Sequence, residues 1–383
     1  MSLPQEKSQR IETLEGLRGL AAIVVFFFHW ILGFLPQLSG IFPNFPKENV
    51  IVGKLGLFFL NGAGAVVFFF VLSGFVLSRR SILNNNSEQI GKNFLKRWPR
   101  LAFPTTVAAI CSWILFRFNL YNYHDAALIT KSPWLASFAS ASPVPVDHSI
   151  WDALTQGLFY TFYRGDSYYD SSMWTMHYEF LASLLIFGTT LLIISYKNSS
   201  KLFPILSILI ISIILFMYSP WYPPFLFGLL LAYVLPEKSK INKIGNIFIF
   251  VFGLYLLGFY SEKGMIIFGT AFAYQYVDMI GSMLLIISCY DIVLTPKFSK
   301  CAKMLGEISF PFYLLHVLVI CSFGSWFYIT LKGYDIPHAS FISCLVTLFS
   351  TILISVPFIV LNNRWVNLLN YWISLIDKKN NQY

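Results

Sequence analysis

The 383-residue chain is poor in charge: Asp, Glu, Lys and Arg make up only 12% of it, against about 25% in soluble domains. With 56% hydrophobic residues and a mean hydropathy of +0.65, that shortage excludes an ordinary water-soluble fold. Cysteine is scarce too. Cys111, Cys289, Cys301, Cys321 and Cys344 are scattered, mostly inside apolar runs. They have neither metal-ligand spacing nor the density of a disulfide framework, so no metal is expected. The strict alternation of a membrane β-barrel is missing. No internal repeat is evident, which disfavours transporters built from inverted repeats. The first apolar run lacks a small-residue cleavage site and reads as a retained span rather than a removed leader. The net charge of +9 is no nucleic-acid footprint, because the charges sit in short loops between apolar runs.

What is present is a series of long apolar runs. About 20 residues at 1.5 Å rise cross a bilayer core of about 30 Å. Ten runs are readable, near 17–35, 56–78, 101–120, 173–195, 202–218, 221–235, 245–260, 268–294, 305–330 and 339–361. The expected fold is all-α, a polytopic membrane bundle of about ten transmembrane helices. "SPWYPP" at 219–224 marks a tight hairpin, since proline removes a helical donor. With the N-terminus in the cytoplasm, 20 of the 27 Lys and Arg fall on the cytoplasmic side, so the positive-inside rule places both termini there. Residues 1–16 are then a cytoplasmic segment, 17–361 the membrane domain, 121–172 an external loop and 362–383 an amphipathic cytoplasmic tail. The loop is either a lid or acceptor-binding surface, or a plain connector. The sequence does not distinguish a plasma membrane from an internal one. "NNS" at 85–87 and "NSS" at 198–200 fit the glycosylation pattern, but this topology puts both in the cytoplasm. "RGD" at 164–166 is read as a chance tripeptide.

Ionisable residues inside spans are costly and usually face the bundle interior. Arg18 and His29 are eleven residues apart, which is three helical turns plus about 20°. They share one helix face, about 16 Å apart along the axis. Each has a bland account: Arg18 snorkels and His29 makes an interhelical hydrogen bond. Ser73-Gly74 in "FFFVLSGFVLSRR" suits close helix packing. Arg97 and Arg100 in "FLKRWPRLAFP" either meet anionic membrane lipids or clamp phosphates, for which the guanidinium fork is matched. Pro99 and Pro104 bracket the start of the third span. In "SSMWTMHYEFLASL", Trp174, His177 and Tyr178 suit an interfacial belt, but Glu179 does not. In "LGEISFPFYLLHVLV", Ser309, Tyr313 and His316 recur on one face. Asp278 and Asp291 are weaker candidates. Deep histidines, a deep glutamate and an arginine-rich mouth suit group transfer from a phosphate-bearing donor to a hydroxyl or amine. They equally suit a proton-coupled transporter of a small molecule.

The order of these blocks resembles the acyltransferase-3 family of integral-membrane acyltransferases along nearly the whole chain. "LEGLRGLAAIVVFFFH" matches its Arg, ten residues, His pattern. "FFFVLSGFVL" matches its Ser-Gly-Phe block, and "FLKRWPRLAFP" its Arg-x-x-Arg-hydrophobic-x-Pro block, with Lys96 and Ala102 departing from the commonest form. "MWTMHYEF" matches its Trp…Glu spacing, and "LGEISFPFYLLH" looks like its late Tyr-Leu-x-His segment. The resemblance implies transfer of an acyl group, acetyl in the first instance, from acyl-coenzyme A to a hydroxyl of a sugar, lipid or small metabolite. It implies His29 as the catalytic base, supported by Glu179 and Arg18. Arg97, Arg100, Ser73 and Arg18 would meet the donor. Trp174, His177, His316 and Tyr313 would line the acceptor side. Direct transfer and an acyl-histidine intermediate are both open.

Overall fold

A computed structural model of the chain describes residues 11–46, 50–141, 149–196, 202–261, 265–267 and 270–380. Each of the ten apolar runs contains a helix, although Thr270–Phe272 at the start of the eighth is strand. The helices are α1 (Glu12–Phe34), α2 (Gly62–Asn84), α3 (Ser87–Arg117), α4 (Trp174–Ser195), α5 (Leu202–Phe216), α6 (Pro223–Val234), α7 (Lys243–Leu257), α8 (Tyr274–Cys289), α9 (Pro296–Val319) and α10 (Ala339–Asn380). Beside the helices lies one short antiparallel pair, β1 (Met265–Ile267) and β2 (Thr270–Phe272), with Met265 opposite Phe272. Helix α9 continues through a π-turn, Ile320–Gly324, into Ser325–Gly333.

Among the described residues, six segments are long and apolar enough to cross a membrane: α1, α2, α3, Ser171–Ser195, Pro296–Gly333 and Ala339–Leu375. The helices α5 to α8 are apolar but have only 12 to 16 residues, fewer than the roughly 20 that span a bilayer core untilted. The fold is therefore an all-helical multi-pass bundle in which six crossings rest on helix length. Large apolar side chains on its outside, among them Ile213, Phe248, Phe341 and Phe349, would be a liability in water and form the surface that faces lipid.

Local chemistry sets the helix ends. The Asn61 side chain accepts from the Gly64 N–H at 3.1 Å and so starts α2, six residues later than its apolar run suggests. Asn85 closes α2 in the left-handed region (φ 50°), and Asn86 opens α3 by accepting from Gln89 N–H at 2.9 Å. The "NNS" stretch is thus a helix–helix joint; "NSS" at 198–200 lies outside the described residues. Helix α3 runs through Pro99 and Pro104 rather than starting between them. Each proline removes one internal hydrogen bond. The tail continues α10 without a break and packs on α3. Trp365 Nε1 donates to Pro99 O at 2.9 Å, and its ring stacks on Phe103 at 4.7 Å.

Bilayer helices associate through close packing rather than through hydrophobic burial. A Cβ at Gly74 would run into the backbone of Phe225 on α6, and one at Gly228 into that of Val71. Helix α1 runs beside α9 in the same direction, because Gly16 meets Ala302, Phe26 meets Phe312 and His29 meets His316. Helices α2 and α4 also run in register, with Thr175 and Phe69 each meeting Tyr313 while Glu179 meets Ser73.

Candidate active site

Five helices place a chain of polar side chains inside the bundle. His29 is half-buried on α1, and its Nδ1 lies 2.8 Å from Nε2 of His316 on α9, which is fully buried. The two rings stack at 5.0 Å. His316 Nδ1 is 2.6 Å from the Tyr313 carbonyl oxygen. One turn back, the Tyr313 hydroxyl meets Thr175 Oγ1 at 3.1 Å and the Ser172 carbonyl at 3.3 Å. Four residues along α4, about 6 Å down its axis, Glu179 accepts from Ser73 Oγ at 2.5 Å and is ion-paired with Arg97. Arg97 also donates to the Glu179 carbonyl at 3.2 Å.

Ser73 and Gly74 thus divide two jobs between adjacent positions about 100° apart on α2. Ser73 faces the carboxylate, and Gly74 lets α6 approach. Arg97 is buried, and its Nε atom has no hydrogen-bond partner among the described residues. Its charge is spent on Glu179 rather than displayed at an open mouth. Arg100, three residues on, is exposed.

Arg18 lies on the same α1 face as His29, toward the helix start. It donates to Ser309 Oγ at 3.0 Å and to the Gly306 carbonyl at 2.7 Å, and pairs with Glu15 at 2.8 Å. Its side chain keeps 36% of its surface exposed, so the guanidinium, although paired with Glu15, stays reachable from solvent. Arg18 and His29 both contact α9, but at levels about 16 Å apart along α1, so the structure does not bring them together.

Two other predicted residues stand apart from this chain. Trp174 packs edge-on against Trp221 at 4.9 Å and against Tyr178. His177 Nδ1 is 2.9 Å from the Phe162 carbonyl, on a face of α4 turned roughly 160° from the one carrying Thr175 and Glu179. The "RGD" arginine lies over the Tyr160 ring at 4.0 Å. Asp291 accepts from Ser239 N–H, and Asp278 from Asn61 at 3.4 Å; neither touches the polar chain.

The residues that sequence reasoning missed are Trp134 and Thr175. Trp134, in the short helix Pro133–Ala136, stacks on His29 at 5.1 Å with an interplanar angle of 14°. Ser132 anchors that helix: its hydroxyl donates to the Leu32 carbonyl at 2.6 Å and accepts from Leu135 N–H. This part of the loop roofs the histidine. Nothing local in "SPWLAS" announces that. Thr175 does carry a signal, since it precedes Glu179 by four residues and shares its face.

Asp170 holds the entry to α4. Its fully buried carboxylate accepts from the Ser172 backbone N–H and hydroxyl, both at 2.9 Å. Burial pushes it up to about 7, against the downward pull of those two hydrogen bonds. Since the Ser172 carbonyl accepts from Tyr313, this cap helps fix the level of the polar chain.

A crevice of about 760 Å³ lies elsewhere, between α1, α7, α8 and α9, lined mainly by apolar groups such as Leu17, Phe250, Cys289 and Leu305. None of its lining residues belongs to the polar chain. Among the described residues, no group of three or more His, Cys, Asp or Glu could hold a metal ion.

Comparison with known proteins gives one match. The sequence model of the acyltransferase-3 family, described as an acyltransferase domain, covers residues 11–360. No curated protein and no solved structure matches the chain.

Proposed function

The chain belongs to the acyltransferase-3 family of membrane acyltransferases, and from that premise we propose that it moves an acyl group, acetyl in the first instance, from acyl-coenzyme A to a hydroxyl. The acceptor class is a sugar, a lipid or a small metabolite. The observation that carries the reading is the placement of His29. It is half-buried under Trp134, with Nδ1 held by His316 and no hydrogen-bond partner at Nε2 among the described residues. A histidine so held can take a proton from a hydroxyl in a site shielded from bulk water. The family match gives the transporter reading no support.

Acyl-coenzyme A would supply the thioester carbonyl. His29 Nε2 removes the acceptor hydroxyl proton as that oxygen attacks the carbonyl carbon. The C–S bond then breaks, and His29 returns the proton to the departing sulfur. Arg18, partly exposed, and Arg100, exposed, suit the donor's phosphates in charge and fork geometry. A donor anchored beside Arg18 has about 16 Å of α1 to traverse before its thioester meets His29, so an extended arm is required. Arg97 has a different part. Buried against Glu179, it positions that carboxylate and Ser73.

We further propose that α5 to α8 also cross the membrane, giving ten spans with both termini cytoplasmic. The excess of Lys and Arg in the segments joining the helices on that side supports this orientation. Acetyl-coenzyme A should raise the thermal midpoint of the detergent-solubilised protein. Absence of stabilisation, together with solute flux in proteoliposomes and no acylated product, would refute the proposed function.

A further inference from the structure

Two hydrogen bonds in the polar chain determine where protons sit on both histidines. His316 Nδ1 lies 2.6 Å from the Tyr313 carbonyl oxygen. A carbonyl oxygen only accepts, so this nitrogen carries a hydrogen. His316 is fully buried. Among the described residues its contacts are aromatic rings, a backbone carbonyl and His29, with no carboxylate. A second proton would place an unpaired charge in that site, which is costly. Neutral His316 therefore has a lone pair on Nε2. His29 Nδ1, 2.8 Å away, must be the donor to it. The remaining lone pair of His29 is then on Nε2, the nitrogen away from His316.

We propose that His316 is a positioning residue that holds His29 as its Nδ1–H tautomer and so aims Nε2 at the acceptor hydroxyl. This rests on the acyltransfer reading for its purpose, but not for its geometry. The arrangement does with a neutral imidazole what a carboxylate does for histidine in other sites: it fixes tautomer and ring orientation. An imidazole makes a weaker partner, since it adds no negative charge. Its own Nδ1–H is tied to a backbone carbonyl, so it cannot turn without breaking a buried hydrogen bond. Trp134 stacked on the other side of His29 completes the restraint. In the sequence, His29 and His316 are 287 residues apart, and only the parallel packing of α1 on α9 joins them.

The direct test is ¹⁵N-histidine NMR of the full chain in nanodiscs, with signals assigned by substitution. Both His29 and His316 should show a protonated Nδ1 and an unprotonated Nε2. His316→Leu should move His29 toward the Nε2–H form. His316→Gln, whose side-chain oxygen can accept, should keep Nδ1–H. In transfer assays His316→Leu should lower kcat on the order of 10²-fold with donor KM unchanged, the size seen when a supporting partner is lost, and His316→Gln should recover at least about tenfold of that. An Nε2–H tautomer on His29 in the wild type overturns the proposal, and so does a Gln variant no better than Leu. The spectra need neither donor nor acceptor. A failed acyltransfer reading would therefore appear as missing product beside an intact Nδ1–H signal.

Discussion

The pairing of Arg97 with Glu179 makes a quantitative prediction about stability that is independent of catalysis. Arg97 is 8% exposed, and its Nε atom already lacks a partner among the described residues. Glu179→Gln removes the carboxylate that is paired with it among the described residues. Breaking a buried ion pair from one side costs about 3–5 kcal/mol, because the surviving charge is left uncompensated. Glu179 keeps 17% of its side-chain surface, so water relieves part of the loss and the expected cost lies near the lower end, about 3 kcal/mol. Arg97→Met in the wild-type background leaves Glu179 its hydrogen bond from Ser73 and should cost somewhat less. The double variant Glu179→Gln, Arg97→Met removes both charges and fills the space with apolar atoms. It should be more stable than Glu179→Gln alone, since replacing both members of a buried pair is often close to neutral. Unfolding in mixed micelles by denaturing detergent would give the four free energies of the cycle. A coupling of about 2 kcal/mol or more is expected. Additivity of the two single changes within about 0.5 kcal/mol, the scatter found for independent sites, would refute the claim that these groups serve each other.

Two further outcomes follow from the loop and its junction with α4. Asp170 has a folded value of about 7 where a carboxyl normally titrates near 3.8, so the fold prefers its neutral form. Its contribution is fully present below the unfolded value and is lost as the pH rises from about 4 to about 7. Asp170→Asn, which keeps the cap on Ser172 without the charge, should raise the thermal midpoint by several degrees at pH 8 and change it little at pH 4; equal effects at both would contradict the assignment. Trp134→Ala removes the ring that covers His29, so water should reach the site and acyl-coenzyme A hydrolysis without acceptor should rise. Unchanged leakage and unchanged acceptor KM would make the loop a plain connector.

The helices were largely legible in the sequence, and their partners were not. Apolar runs mark helices because the backbone in a bilayer must satisfy its own hydrogen bonds, and each of the ten runs holds one, the eighth only after the strand Thr270–Phe272. Their ends moved wherever a polar side chain offered a cap, as Asn61 and Asn86 do. The two prolines of α3 misled as boundaries, because the helix absorbs the hydrogen bonds they remove. Periodicity put Ser309, Tyr313 and His316 on one face, and the structure uses all three. It could not show that this face meets both Arg18 and His29. Nor could it show that Arg97 turns inward to Glu179, 82 residues away, rather than outward like Arg100. Spacing reports a residue's direction on its own helix, and interhelical pairing depends on small-residue contacts such as Gly74 on Phe225 that leave no periodic trace.

The central claim is that His29 performs acyl transfer. Purified protein should be incubated with labelled acetyl-coenzyme A and fractionated glycans, lipids and metabolites, in parallel with His29→Ala. The wild type should label an acceptor through an ester bond. The variant should bind the donor with similar affinity and transfer at least about 10²-fold more slowly, the minimum contribution of a positioned general base. Near wild-type transfer by His29→Ala would contradict the account.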